Sequence, residues 1–171
     1  MTAPSAPAPA RTSARIALHR HFPGAYEALS ALNDTVEAGP IEPFLLELVK
    51  LRASQVNGCA YCIDMHTKDA RAMGESEERM HLVAAWRESP HFTQRERVAL
   101  ALAEAVTLIT DGHVPEDVWA AAEAEFDPDE LVCLVWACAV INTWNRVAIT
   151  TRSQPGAYRS TRQRVERAAT A

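Results

Sequence analysis

Between Pro23 and Thr150 the apolar residues recur at helical spacing, and no stretch alternates apolar with polar as a half-buried strand would. The breakers divide this pattern into helices. A first runs from about Pro23 to Val36 and stops at Gly39-Pro40. A second opens at Pro43, a favourable first-turn residue, and carries FLLELVKLRASQV to the Asn57-Gly58 break. A third runs from about Cys59 to Met73 and closes on Gly74. Ser76 and the acids behind it open a fourth, which Pro90 ends. Thr93 and Glu96 have capping-box spacing and start TQRERVALALAEAVTLIT, which ends at Asp111-Gly112. PEDVWAAAEAEF is short and amphipathic, and a long last helix runs from about Pro128 to Thr150. The expectation is an all-α fold, a compact helical bundle of about six to eight helices.

Residues 1–18 read as a flexible tail, residues 19–156 as one helical domain, and residues 157–171 as a polar, basic tail that is mobile or packed on a neighbour. The first fourteen residues are rich in Pro, Ala, Ser and Thr and lack the apolar run of a secretory signal. A net charge of −5 argues against a nucleic-acid surface, which needs clustered Lys and Arg. Leu131–Ile141, the longest apolar run, is much shorter than the ~20 residues that span a bilayer, so no membrane segment is expected. The same run is apolar on every side of its helix, which predicts a central helix or one also covered by a partner subunit. Cytoplasmic location is the default, and structural disulfides are rare there.

That location gives weight to ELVKLRASQVNGCAYCIDMH, Glu47–His66, which holds a Cys59-x-x-Cys62 pair with His66 four residues on. It can be a redox dithiol, three zinc ligands or two core cysteines. On a helix starting at Cys59, side chains turn by about 100° per residue, so Cys59, Cys62, Ile63, His66, Ala70 and Met73 share one arc. Asp64, Thr67, Lys68 and Arg71 fall opposite. A first-turn thiol gains roughly 0.3–1 kcal/mol from the helix N-terminus, too little to make a thiolate at neutral pH, and burial works against it. A reactive thiolate therefore needs a proton acceptor, and His66, one turn from Cys62, is placed to be one. Zinc is the main rival, but no second Cys/His pair stands at ligand spacing.

Other residues draw blander readings. Periodicity puts Glu47 on a polar flank, an ordinary surface position. Arg52 and Gln55 are out of place in an apolar arc, so Arg52 needs a carboxylate or a cover. Cys133 and Cys138 read as small core hydrophobes, the four tryptophans as packing residues, and the remaining histidines have no assigned role.

The spacing Glu47-x11-Cys59-x2-Cys62-x3-His66, with WRESPHFTQRERVALALAEAVT and INTWNRVAI further on, resembles the alkyl hydroperoxidase D-like, CxxC-bearing branch of the carboxymuconolactone decarboxylase family. The resemblance covers about His21 to Gly156. It implies an all-α fold, a homo-oligomer (trimer or hexamer) and a thiol-dependent peroxidase. Cys62 would attack a hydroperoxide and become the sulfenic acid, and Cys59 would donate a proton and then resolve it into a disulfide. His66 and Glu47 would form the proton relay. Re-reduction would fall to an external dithiol, lipoyl-type or thioredoxin-like, with no bound cofactor required. Alternatives on the same residues are a disulfide reductase and a non-enzymatic redox sensor. The chain departs from better-studied members at Tyr61, where they carry a histidine before the second cysteine. The decarboxylases proper generally lack the CxxC, which argues against lactone chemistry.

Overall fold

Prolines and capping residues set where the helices of this chain begin. A computed structural model describes residues 13–165. Their helices are α1 (Leu18–His21), α2 (Pro23–Glu37), α3 (Pro43–Asn57), α4 (Ala60–Met73), α5 (Glu77–Leu82), α6 (Gln94–Thr107), α7 (Glu116–Glu125) and α8 (Pro128–Thr151), with a 3-10 turn at Val83–Ala85. No strand occurs among the described residues. Pro23, Pro43 and Pro128 stand in first turns, where a missing N–H costs nothing. Thr93 and Glu96 form the reciprocal capping box expected of them, and Asp127 with Glu130 forms another that the sequence reading overlooked. The short α1 was not foreseen either; it has no buried residue and is a single turn before Pro23.

α3 is the centre of the bundle and packs against α4, α6 and α8. Its neighbours explain why ten of its residues, including Glu47, Lys50 and Ser54, are buried. One cluster joins Leu45, Leu46 and Val49 of α3 to Val98 and Leu102 of α6 and to Leu134, Ala137 and Cys138 of α8. A second joins Leu48 and Leu51 to Val83, Trp86, Phe92 and Leu100. Gly39 is required where α2 turns toward α3, since a Cβ there would stand 2.7 Å from Cys133 Sγ.

α8 departs from the expectation of burial all round. Leu131, Leu134, Cys138 and Ile141 are buried, but Val132 is 56% and Trp136 50% exposed. By length and composition α8 could cross a membrane; half of its most apolar window is buried within this bundle, which accounts for its composition. Trp136 is also the tryptophan that does not pack inside.

Candidate active site: a dithiol at a helix start

The site begins at a turn that only glycine fits well. α3 ends at Gly58 in the left-handed region, φ 69°. Gly58 N–H returns to Gln55 O at 3.1 Å and Cys59 N–H to Ser54 O at 2.9 Å, the double closure of a Schellman end. Cys59 thus terminates α3 and is also the N-cap of α4, where its Sγ accepts from Cys62 N–H at 3.4 Å. Both cysteines are buried and pack with Ala148 of α8 and the half-buried Tyr61.

This placement separates the two thiols electrostatically. The Cys62 thiol donates to Cys59, and with help from the Cys62 and Tyr61 N–H groups it brings Cys59 down to about 7 against the effect of burial. Cys62 is pushed up, because it holds the shared proton and is buried. The pair loses its first proton near neutral pH, and the negative charge falls on Cys59.

One turn beyond Cys62, His66 Nδ1 lies 2.8 Å from Glu47 Oε2. Glu47 Oε1 accepts from Lys50 Nζ at 3.2 Å, and the same ammonium bonds Glu37 at 2.8 Å. Burial pushes the Glu47 carboxyl up, but the charges of His66 and Lys50 and their hydrogen bonds hold it at about 2. An ionised carboxylate can only accept, so Nδ1–H donates to Glu47 and Nε2 is the ring nitrogen left to exchange a proton. Nε2 is buried and has no hydrogen-bond partner among the described residues.

The surface reading of Glu47 is therefore corrected. It is 2% exposed, and what covers it comes from remote parts of its own chain. Lys50 and Glu37 lie on one side. On the other, Arg162 bonds Glu37 and stands 4.0 Å from Glu47 Oε1. Part of this cover is supplied by the segment after α8. Residues 157–165, expected as part of a tail that is mobile or packed on a neighbour, lie along α4.

Sequence reasoning missed a polar network behind the thiols. Asn145 of α8 is fully buried and donates to Ser54 Oγ at 3.1 Å. Its Oδ1 accepts from Asn57 at 2.8 Å, and Asn57 also reaches Asn142 at 2.9 Å. Asn142 in turn donates to Thr107 at 3.0 Å. A further hydrogen bond links the Asn145 side chain to Cys62 and favours its thiolate. The signal was available: two asparagines three residues apart in an apolar helix are as anomalous as Arg52.

Arg52 finds the carboxylate it needs in Glu104, at 2.6 Å, and also bonds Gln55 at 3.3 Å. Cys133 and Cys138 are core residues as read; burial raises both thiols, Cys138 to about 12. Glu47, His66 and Asp69 bring one donor atom each within 4.8 Å of one another, a set that excludes the cysteines. Lys50 already neutralises Glu47, and the Tyr158 hydroxyl bonds both oxygens of Asp69, at 2.9 and 3.1 Å. A cation would have to compete with that ammonium. A cavity of about 50 Å³ adjoins the relay, lined by Glu37, Leu46, Glu47, Lys50 and Arg162. A larger one, about 270 Å³, opens between α6 and α7 and is lined by neither the dithiol nor the relay.

Comparison with known proteins agrees with the fold. The model of the carboxymuconolactone decarboxylase family matches residues 23–105. The uncharacterized protein YdfG of Bacillus subtilis is 37% identical over 137 residues, 80% of this chain and 93% of its own. A crystal structure from Agrobacterium tumefaciens, of a protein of unknown function provisionally assigned to antioxidant defence as AhpD, superposes with a TM-score of 0.82. It is 40% identical, and the match covers 85% of this chain and all of that one. The debrominase Bmp8 shares the fold at 20% identity and a TM-score of 0.72, over 79% of this chain and 73% of its own. The chain belongs to the carboxymuconolactone decarboxylase family, in its alkyl hydroperoxidase D-like branch that carries the CxxC.

Proposed function

We propose that the chain is a thiol-dependent peroxidase that reduces hydroperoxides through a Cys59/Cys62 dithiol–disulfide cycle. The observation that carries this reading is the buried Glu47–His66 pair, 2.8 Å apart, placed one turn behind the Cys59/Cys62 dithiol. A structural CxxC has no need of a base whose free nitrogen is kept unpartnered in the interior.

The first proton of the pair goes to His66 Nε2, and Glu47 stabilises the resulting imidazolium. Cys62 sulfur then attacks the outer peroxide oxygen while its proton passes to Cys59; the O–O bond breaks and Cys59 protonates the departing alkoxide. The products are alcohol, Cys62 sulfenic acid and Cys59 thiolate. Asn145 supports the charge on Cys62 during attack. Cys59 thiolate displaces hydroxide from the sulfenic acid, forming the disulfide, and His66 returns its proton to make water. Two thiols are oxidised and one peroxide is reduced. An external dithiol, lipoyl-type or thioredoxin-like, restores the pair by exchange. Catalysis is proposed to occur in a homo-oligomer, trimer or hexamer.

The position of the charge favours a second reading. A Cys59 thiolate near 7 at a helix start is suited to attack a disulfide directly, as a disulfide reductase would. Steady-state peroxide consumption with a dithiol donor separates the two. The peroxidase loses its activity in Cys62→Ser. Equal peroxide rates in wild type and Cys62→Ser, with mixed disulfides trapped on Cys59, would establish the reductase.

A further inference from the structure

The segment after α8 makes contacts that a loose tail would not. Gly156 N–H bonds Asp64 Oδ2 at 2.9 Å, and Lys68 Nζ holds the carbonyls of Gly156 and Tyr158 at 3.3 and 3.2 Å. Tyr158 hydroxyl spans both oxygens of the buried Asp69. Arg162 bonds Glu37 and faces Glu47, and Val165 N–H closes on Met73 O at 3.0 Å. The chain therefore runs parallel to α4, from its first turns to its end, and crosses the relay in between.

These contacts have an electrostatic consequence for Glu47 and His66. The attraction between a carboxylate and an imidazolium scales inversely with the effective dielectric, about 20 near a protein surface and 80 in water. Glu47, His66 and Asp69 are all buried, and on this side it is Tyr158 and Arg162 that stand against their carboxylates. The groups facing the pair are Glu37 from α2, Lys50 from α3, Asp69 from α4, and Arg162 and Tyr158 from the segment beyond α8.

We propose that residues 156–165 are a strap belonging to the dithiol site, and that Tyr158 and Arg162 are positioning residues which keep water from the Glu47–His66 pair. The proposal rests on the peroxidase reading for its effect on rate, but the sealing of the pair stands without it. Arg162 also closes a charge ladder: Arg162 and Lys50 flank Glu37, and Lys50 joins Glu37 to Glu47, so the carboxylate is held at a fixed angle to the ring.

The test uses the reduced full-length protein and the variants Tyr158→Phe, Arg162→Gln and Arg162→Lys. Two quantities are measured: solvent exchange of the His66 Nδ1–H by NMR, and the rate of a single oxidation by hydrogen peroxide at low and high sodium chloride. Wild type should hold the Nδ1–H proton and oxidise at a rate nearly independent of salt, because a buried pair is poorly screened. Arg162→Gln and Tyr158→Phe should exchange the proton at least about tenfold faster. Their oxidation should slow several-fold and become salt-dependent, and Arg162→Lys should recover most of the loss. Unchanged exchange and salt-independent rates in both variants would overturn the proposal. So would a loss that follows thermal stability alone and is not recovered by Arg162→Lys. If wild-type protein reacts with peroxide no faster than free cysteine, the peroxidase reading fails, while the exchange data still decide whether the strap seals the pair.

Discussion

The molecule holds two pairs of buried cysteines, and their difference shows what makes a thiol reactive. Cys133 and Cys138 lie in the body of α8, where every backbone N–H is engaged in the helix; burial is the largest influence on both and the sole one on Cys138. Cys59 and Cys62 are just as buried, but they stand where α3 ends and α4 begins. First-turn N–H groups, a partner thiol and the Asn145 amide converge on them, so one thiol falls to about 7 while Cys138 rises to about 12. Burial raises a thiol unless the fold aims donors at it; at Cys59 the partner thiol contributes most and the helix-start N–H groups add to it.

The largest effect should appear in alkylation. At pH 8 Cys59 is mostly thiolate and Cys138 almost entirely thiol, so iodoacetamide followed by peptide mapping should label Cys59 several thousandfold faster. Comparable labelling of α8 would break the contrast. Next, Cys62→Ser should lower peroxide turnover at least about a thousandfold, whereas Cys138→Ala should change it less than twofold.

Glu47→Gln sharpens the comparison from the side of the relay and should slow oxidation roughly tenfold or more. The same variant has a signature in stability. Glu47 is held at about 2 when folded, below its unfolded value near 4.5. Its contribution is therefore complete above about pH 4.5 and is lost as pH falls toward 2, on the order of 3 kcal/mol. Urea denaturation across that range should show a gentler loss of stability in Glu47→Gln than in wild type. The smallest effect belongs to the inert pair: Cys138→Ala should cost about 1–2 kcal/mol by chemical denaturation, with no added pH dependence below pH 7.

Much of this was legible in the sequence, and the exceptions share a cause. Helix limits followed from Pro43, Asn57-Gly58, Gly74 and the Thr93–Glu96 box, all local signals. The common face of Cys59, Cys62 and His66 followed from helical geometry, and all three are buried. Glu47 could not be recognised by periodicity, because its burial depends on Glu37, ten residues before it, and on Arg162, far beyond α8. Arg52 was visible as a charge in need of a partner, but nothing local pointed to Glu104. Asn145 was visible as an anomaly in α8, and only the packing of α8 against α3 and α4 gives it Ser54, Asn57 and Cys62 to bind. Helix limits and faces are set by neighbours in sequence; the polar groups that tune a site come from elements brought together by the fold.

The central claim is that oxidation is directed to the helix-start pair and begins on Cys62. Brief treatment of Cys59→Ser with one equivalent of hydrogen peroxide, followed by a sulfenic-acid trap and mass spectrometry, tests it most directly. The account predicts the trapped adduct on Cys62, with Cys133 and Cys138 unmodified. An adduct on Cys133 or Cys138, or an unmodified Cys62 under conditions that oxidise wild type to the disulfide, would contradict it.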